Sequence, residues 1–186
     1  MPYLLCPSCS LPTYCVSEGT CSACGTPLRA PRAGAGPRPT RSGADAAVQA
    51  ELAMVCRELD MDSALVSEIT GGREVVRWAA GEGDYAGVSA ALDDTICERL
   101  LDGRIGAIVP DAAGDPSLCE LETVRDGSIA AYLGVPFTTA DARLYVLCCL
   151  AHEVRPDLGE ADVRFLRGLA ESIRSLLEPT APPTWG

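Results

Sequence analysis

The sequence predicts an α+β fold: an antiparallel sheet with helices packed outside it, preceded by a small cysteine-rich knob. Three observations lead there. Apolar residues recur at helical spacing near both ends of a long acidic body, strand-like runs fill its middle, and five cysteines crowd into the first 24 residues.

A chain of 186 residues has room for one ordinary domain and a small appendage, and 47% hydrophobic content is enough to build a core. The divisions follow composition. Residues 1–28 form the knob. Residues 29–44, "RAPRAGAGPRPTRSGA", have no apolar periodicity and are expected to be a flexible linker. Residues 45–178 are the body, and 179–186 are a Pro-rich tail.

Within the body, Val48, Leu52, Val55 and Leu59 lie on one helical face, so 45–59 is expected to be helix. "SALVSEIT" and "EVVRWAAG" are β-rich runs joined through Gly71-Gly72, a hairpin signal. "DDTICERLLDG" reads as a short helix with Asp93 or Asp94 near its cap and Gly103 past its end. "GAIVPD" is a short strand stopped by Pro110, and 117–126 is expected to be helical. "SIAAYLGVPF" and "ARLYVLCCLAHE" are strands, the second apolar at nearly every position and therefore central. Val163, Leu166, Leu169, Ala170, Ile173 and Leu177 define a closing helix over 160–177.

The formal net charge is −11, and every basic residue is arginine. Residues 1–44 carry +3, from four Arg and one Glu; the rest carries −14, from eleven Arg and twenty-five acids. An acidic body of this kind is a poor phosphate-backbone binder, so no nucleic-acid partner is expected. No run of about 18 apolar residues occurs. The first ten residues lack a charged and then apolar leader, so a cytoplasmic location is expected. In that compartment ten cysteines imply free thiols, metal ligands or redox groups before structural disulfides.

In the knob, Cys6/Cys9 and Cys21/Cys24 form two C-x-x-C pairs eleven residues apart. Each pair can aim two thiolates at one point, and two pairs complete a closed tetrahedron around zinc. A 28-residue piece buries too little surface to fold alone, so metal binding would supply the difference. A zinc ribbon is therefore expected, with Cys6, Cys9, Cys21 and Cys24 as ligands and Cys15 left over. A redox pair or a disulfide knot is the competing reading, but a redox C-x-x-C belongs beside a β-α-β unit that is absent here.

Several segments of the body, read together, resemble a GAF domain, the sensory relative of the PAS fold. They are "TICERLLDGRIGAIVPDAAGDP" (95–116), "IAAYLGVPF" (129–137) and "LYVLCCLAHEVRPDLGEADVRFLRGLA" (144–170). The resemblance covers nearly the whole body, and the order of its pieces is more specific than any one of them. It implies an antiparallel sheet of about six strands with a ligand pocket on one face, and first and last helices that pack into a dimer bundle. The family often has Asp-Gly and a further Gly on the last hairpin; Asp141-Ala142 and Val146 stand there instead, which suggests a different turn and less room for a ligand. The resulting expectation is a sensory protein that binds a small molecule or senses redox state, with the zinc ribbon serving a partner. The pocket is expected near Cys97, Asp111, Tyr132 and Cys149.

An enzyme reading competes. Free methionine-(R)-sulfoxide reductases share the GAF scaffold, and their "GvCG…vpD" segment is similar to the stretch holding Cys97 and Asp111, with a later cysteine near Cys119. By that resemblance Cys119 would attack the sulfoxide sulfur and Cys97 would resolve the sulfenic acid as a disulfide. The match is incomplete, because Glu98 follows Cys97 and Gly87 stands where the remaining cysteine belongs. The plainer reading makes both cysteines ordinary pocket or core residues. Packing is likewise the plainer role for Cys56, Cys148 and Cys149, the last two pointing to opposite faces of a strand. His152 is the sole histidine and thus the sole histidine candidate for a haem-dependent enzyme; a solvated loop position is its plainer reading. The acid pairs Asp93/Asp94 and Glu120/Glu122 read as helix capping and a solvated face.

Overall fold

The computed structural model describes residues 3–5, 12–14, 19–20, 27–28 and 42–178. Two short antiparallel hairpins come first: β1 (Tyr3–Leu5) with β2 (Pro12–Tyr14), and β3 (Gly19–Thr20) with β4 (Pro27–Leu28). Helix α1 (Ser42–Leu59) opens the body and starts inside the stretch expected to be linker. Nothing beyond Pro39 forbids helix there, and helix ends are the least legible part of any sequence. All four apolar positions predicted for its inner face are buried.

The body is built on β5 (Ser63–Thr70), β6 (Arg73–Gly81), β7 (Ser89–Ala91), β8 (Ile108–Val109), β9 (Ala131–Thr138) and β10 (Leu144–Ala151). They form one antiparallel sheet in the order β7-β6-β5-β10-β9-β8. β10 is central and buried along its whole length, as its unbroken apolar run implies. Gly71 and Gly72 both take positive φ (57° and 74°), which a two-residue β5–β6 turn requires.

Two local expectations change and one strand is added. Thr95, not Asp93 or Asp94, caps α2 (Ile96–Leu101): its hydroxyl accepts from Glu98 N at 3.3 Å, while the two aspartates occupy a preceding 3-10 turn. The helix expected over 117–126 shrinks to α3 (Glu122–Arg125), because Asp115 and Pro116 start a string of turns instead. The strand added is β7, whose three small residues carry no readable alternation.

Helix α4 (Glu160–Leu177) ends the body, with Asp162 reaching back to Gly159 N–H at 2.8 Å. Its six predicted inner residues are buried, and it packs with α1 on one sheet face. Each fully buried Leu or Ile there contributes about 1.5–3 kcal/mol. Arg155 ties the two ends of the body together by donating to the free carbonyls of Leu59 (3.1 Å) and Asp60 at the end of α1.

The sheet therefore has two cores. The first, under α1 and α4, takes Val66, Leu133, Val135, Tyr145, Leu147 and Cys149 from the strands. The second, on the other face, takes Leu65, Val76, Tyr132, Val146 and Cys148 and is covered by α2 and by residues from the 105–124 stretch. A bulge keeps β6 matched to both. Val66 pairs with Trp78 and Ser67 with Val76, so Arg77 has no opposite residue. Trp78 and Ala80 consequently face the helices, while Val76 faces the second core.

The β9–β10 turn keeps a left-handed residue without the glycine of the domains it resembles, since Ala142 sits at φ 61°. The turn is closed by Ala142 N–H to Thr139 O at 2.8 Å and by the Thr139 hydroxyl to Asp141 at 2.6 Å. Left-handed backbone costs a non-glycine residue about 1–2 kcal/mol, part of which glycine returns as unfolded-state entropy. Ala142→Gly is expected to raise stability by about 0.5–1 kcal/mol, read from the urea midpoint.

Candidate functional site

One group of buried polar side chains lies on the second sheet face. α2 brings one of them. Its buried residues Ile96, Cys97, Leu100 and Leu101 turn inward, while Glu98 and Arg99 pair with each other outside. Cys97 thereby meets the sheet, donating to Glu74 Oε1 at 3.3 Å and contacting the Tyr132 hydroxyl at 3.5 Å. Tyr132 leaves β9 with its ring folded over Gly134, where a Cβ would lie 2.3 Å from the phenol oxygen. Gly134 pairs in turn with Cys148 of β10. Four strand or helix elements thus place Glu74, Cys97, Tyr132 and Cys148 side by side.

The electrostatics of this cluster favour neutral thiol and phenol. The Cys97 thiol is pushed well above its usual value by its hydrogen bond with Cys148, then by burial and the Glu74 charge. Tyr132 is raised by burial and by the neighbouring thiols, and Cys149, in the first core, mainly by burial. Groups whose folded pKa is raised lend stability that is complete below their unfolded pKa and is lost as pH rises toward the folded value. The ordinary thiol value is 9.0, so the unfolding midpoint is expected to hold to about pH 9 and then fall. Thermal unfolding across pH 8–10.5 measures it, and Cys97→Ala should flatten the decline.

The expected pocket residues divide. Cys97 and Tyr132 are brought together. Cys149 is not with them: strand alternation sends it to the helix side, so its grouping with Cys97 is corrected. Asp111 is exposed after β8, its carboxylate accepting from Gly114 N at 3.1 Å to shape a turn. Cys119 is exposed too and donates to Pro116 O at 3.5 Å. The buried, protonated Cys97 is a poor nucleophile, whereas Cys119 is open to solvent. Cys56 is half-buried against Ala80 O at 3.6 Å. His152 places Nδ1 2.8 Å from Ser128 O at the far end of β10.

Sequence reading missed Glu74 and Ser67. The signal was there for Ser67, a polar residue between Leu65 and Ile69 on one face of an apolar strand. For Glu74 the bulge hid which way it points. Cys6, Cys9, Cys15, Cys21 and Cys24 lie outside the described residues. Among the described residues no group of three or more His, Cys, Asp or Glu is arranged to hold a metal ion, and no helix is long and apolar enough to cross a membrane.

The family model described as GAF domain matches residues 43–177. No curated protein matches the chain. Solved structures share the fold at low identity. The blue-light absorbing form of the Thermosynechococcus elongatus PixJ GAF domain is 16% identical, with TM-score 0.60 over 73% of this chain and 85% of that one. The GAF domain of an Acinetobacter phosphoenolpyruvate-protein phosphotransferase is 16% identical, with TM-score 0.58 over 72% and 81%. A phycoerythrobilin-bound GAF domain from a cyanobacterial phytochrome is also 16% identical, with TM-score 0.57 over 72% and 84%.

Proposed function

The chain belongs to the GAF domain family, and on that premise we propose that it is a cytoplasmic sensor whose second sheet face receives a small molecule. The observation that carries this reading is the cluster of Glu74, Cys97, Tyr132 and Cys148, polar groups gathered inside an otherwise apolar core. Relatives of the same fold support it, one of them with a bilin bound and one of them light-absorbing. Binding there would be passed through the sheet to α1 and α4, which in this reading form a homodimer; Phe165, exposed on α4, supplies an apolar contact.

The knob is proposed as a zinc ribbon for a protein partner, held by Cys6, Cys9, Cys21 and Cys24. Hairpin register supports it. Leu5 pairs with Pro12 and Thr20 with Pro27, so each hairpin is joined by six residues that begin on a C-x-x-C. Four thiolates on two like hairpins suit a closed tetrahedral ion, which would fold the knob and do no chemistry.

Native mass spectrometry of the full chain tests these points together. A dimer with one zinc per chain and a co-purified small molecule is expected. Cys6→Ser should remove the zinc and leave the body's melting unchanged; a zinc-free wild-type protein would refute the ribbon. The thiol-reductase alternative is favoured by one fact, the exposure of Cys119. Turnover of free methionine sulfoxide with a thiol reductant, abolished by Cys119→Ser, would replace the sensor reading.

A further inference from the structure

The second face holds more hydrogen-bonding atoms than its own contacts use. Ser67 is 0% exposed, and its Oγ has no partner among the described residues. It pairs across to Val76 and Val146 and stands between Leu65 and Ile69, so it is aimed into the second core. Thr138 Oγ1, two residues along the same face from Pro136, is likewise buried without a partner among the described residues. Glu74, 9% exposed, accepts only the weak Cys97 thiol among the described residues. The nearby arginines are occupied elsewhere: Arg73 turns to Ser89, and Arg77 and Arg143 both turn to Glu68.

Such an arrangement is costly in the empty protein. A carboxylate taken from water wants a positive, hydrogen-bonding partner, and a buried hydroxyl wants any partner at all. Glu74 sits opposite Ile69, diagonal to Ser67 across the strand pair. Diagonal neighbours on one face stand about 7–8 Å apart, a span that one planar N–H-bearing head group can bridge.

We propose that this face recognises a small organic cation, an amine or amidine, whose N–H groups donate to the Glu74 carboxylate and the Ser67 hydroxyl. The proposal rests on the reading of the second face as the ligand side, and it names the ligand's charge. An anion would be repelled by the Glu74 carboxylate, and a neutral amide would bring no charge to meet it. Tyr132 and Val146 supply the apolar bed for the body of the ligand.

The test is calorimetric titration of the full chain with benzamidine, benzamide and benzoate, which share a shape and differ in charge. Benzamidine is expected to bind at least tenfold more tightly than either of the others. Ser67→Ala separates recognition from stability: it should raise the melting temperature of the unliganded protein while weakening benzamidine at least fivefold. Glu74→Gln should weaken it at least tenfold with the circular dichroism spectrum intact. Binding untouched by Ser67→Ala, or benzoate binding as tightly, overturns the proposal. Failure of benzamidine to bind, alongside a co-purified neutral or anionic small molecule, overturns the cation and keeps the sensor. Failure of benzamidine in a protein that also carries no small molecule overturns both.

Discussion

Gly81→Ala is expected to destabilise the protein by about 3–4 kcal/mol, the sum of a left-handed backbone penalty and a steric overlap. Gly81 ends β6 at φ 94°, and a Cβ there would lie 2.1 Å from Asp62 O and 2.9 Å from Ser63 Cα. Both are backbone atoms, so no side chain can swing aside. The same corner is heavily bonded: Glu82 N donates to Asp62 O at 2.7 Å, the Ser63 hydroxyl to Glu82 O at 2.5 Å, and His152 N to the Asp62 carboxylate at 2.7 Å. Moving Asp62 would strain β5, β6 and β10 together. Because a domain of this size has only about 5–15 kcal/mol in hand, the variant should melt roughly 8–15 °C lower. Chemical denaturation gives the value directly, and a loss under 0.5 kcal/mol would mean the junction yields freely.

The second large effect is expected at Gly134. Gly134→Ala would set a methyl 2.3 Å from the Tyr132 hydroxyl and 2.6 Å from the ring edge. Tyr132 is almost wholly buried, so the ring has nowhere to go without displacing α2. A cost of about 2–3 kcal/mol follows from overpacking alone. The contact of the phenol with Cys97 should go with it, which ties the stability loss to the second sheet face. Under the proposed function, any co-purified small molecule should be lost from this variant before the fold is. A double-mutant cycle with Tyr132→Phe, which removes the worst overlap, should show coupling beyond additivity. Purely additive losses would place the strain elsewhere.

Much of this fold was legible because its signals are local and periodic. The faces of α1 and α4, the Gly71-Gly72 turn and the central, wholly apolar β10 each declare themselves within a few residues. What stayed hidden depended on distant partners. The grouping of Cys97 with Tyr132 followed from family resemblance, yet Cys149 was drawn into the same pocket although its own neighbour Cys148 is the one that faces it. Glu74 was unreadable because the extra residue at Arg77 breaks the two-residue rhythm from which facing is inferred. Ser67 stands out as the polar residue between Leu65 and Ile69, but its lack of a partner among the described residues is legible only in three dimensions.

That extra residue also sets where the strand can change length. Arg77 has no counterpart on β5, so removing it would bring Val76 and Trp78 next to each other in the register they already hold. Every inward-facing side chain of β6 would keep its side, and Glu68 would keep Arg143 as its ion-pair partner. Deleting Val75 or Ala79 instead would reverse the residues beyond it and turn either Glu74 or Ala80 to the wrong core. A scan of single-residue deletions across 74–80 should therefore find one tolerated gap in a strand that otherwise admits none. Length variation at that point is neutral to the second sheet face, while variation one or two residues away rewrites it.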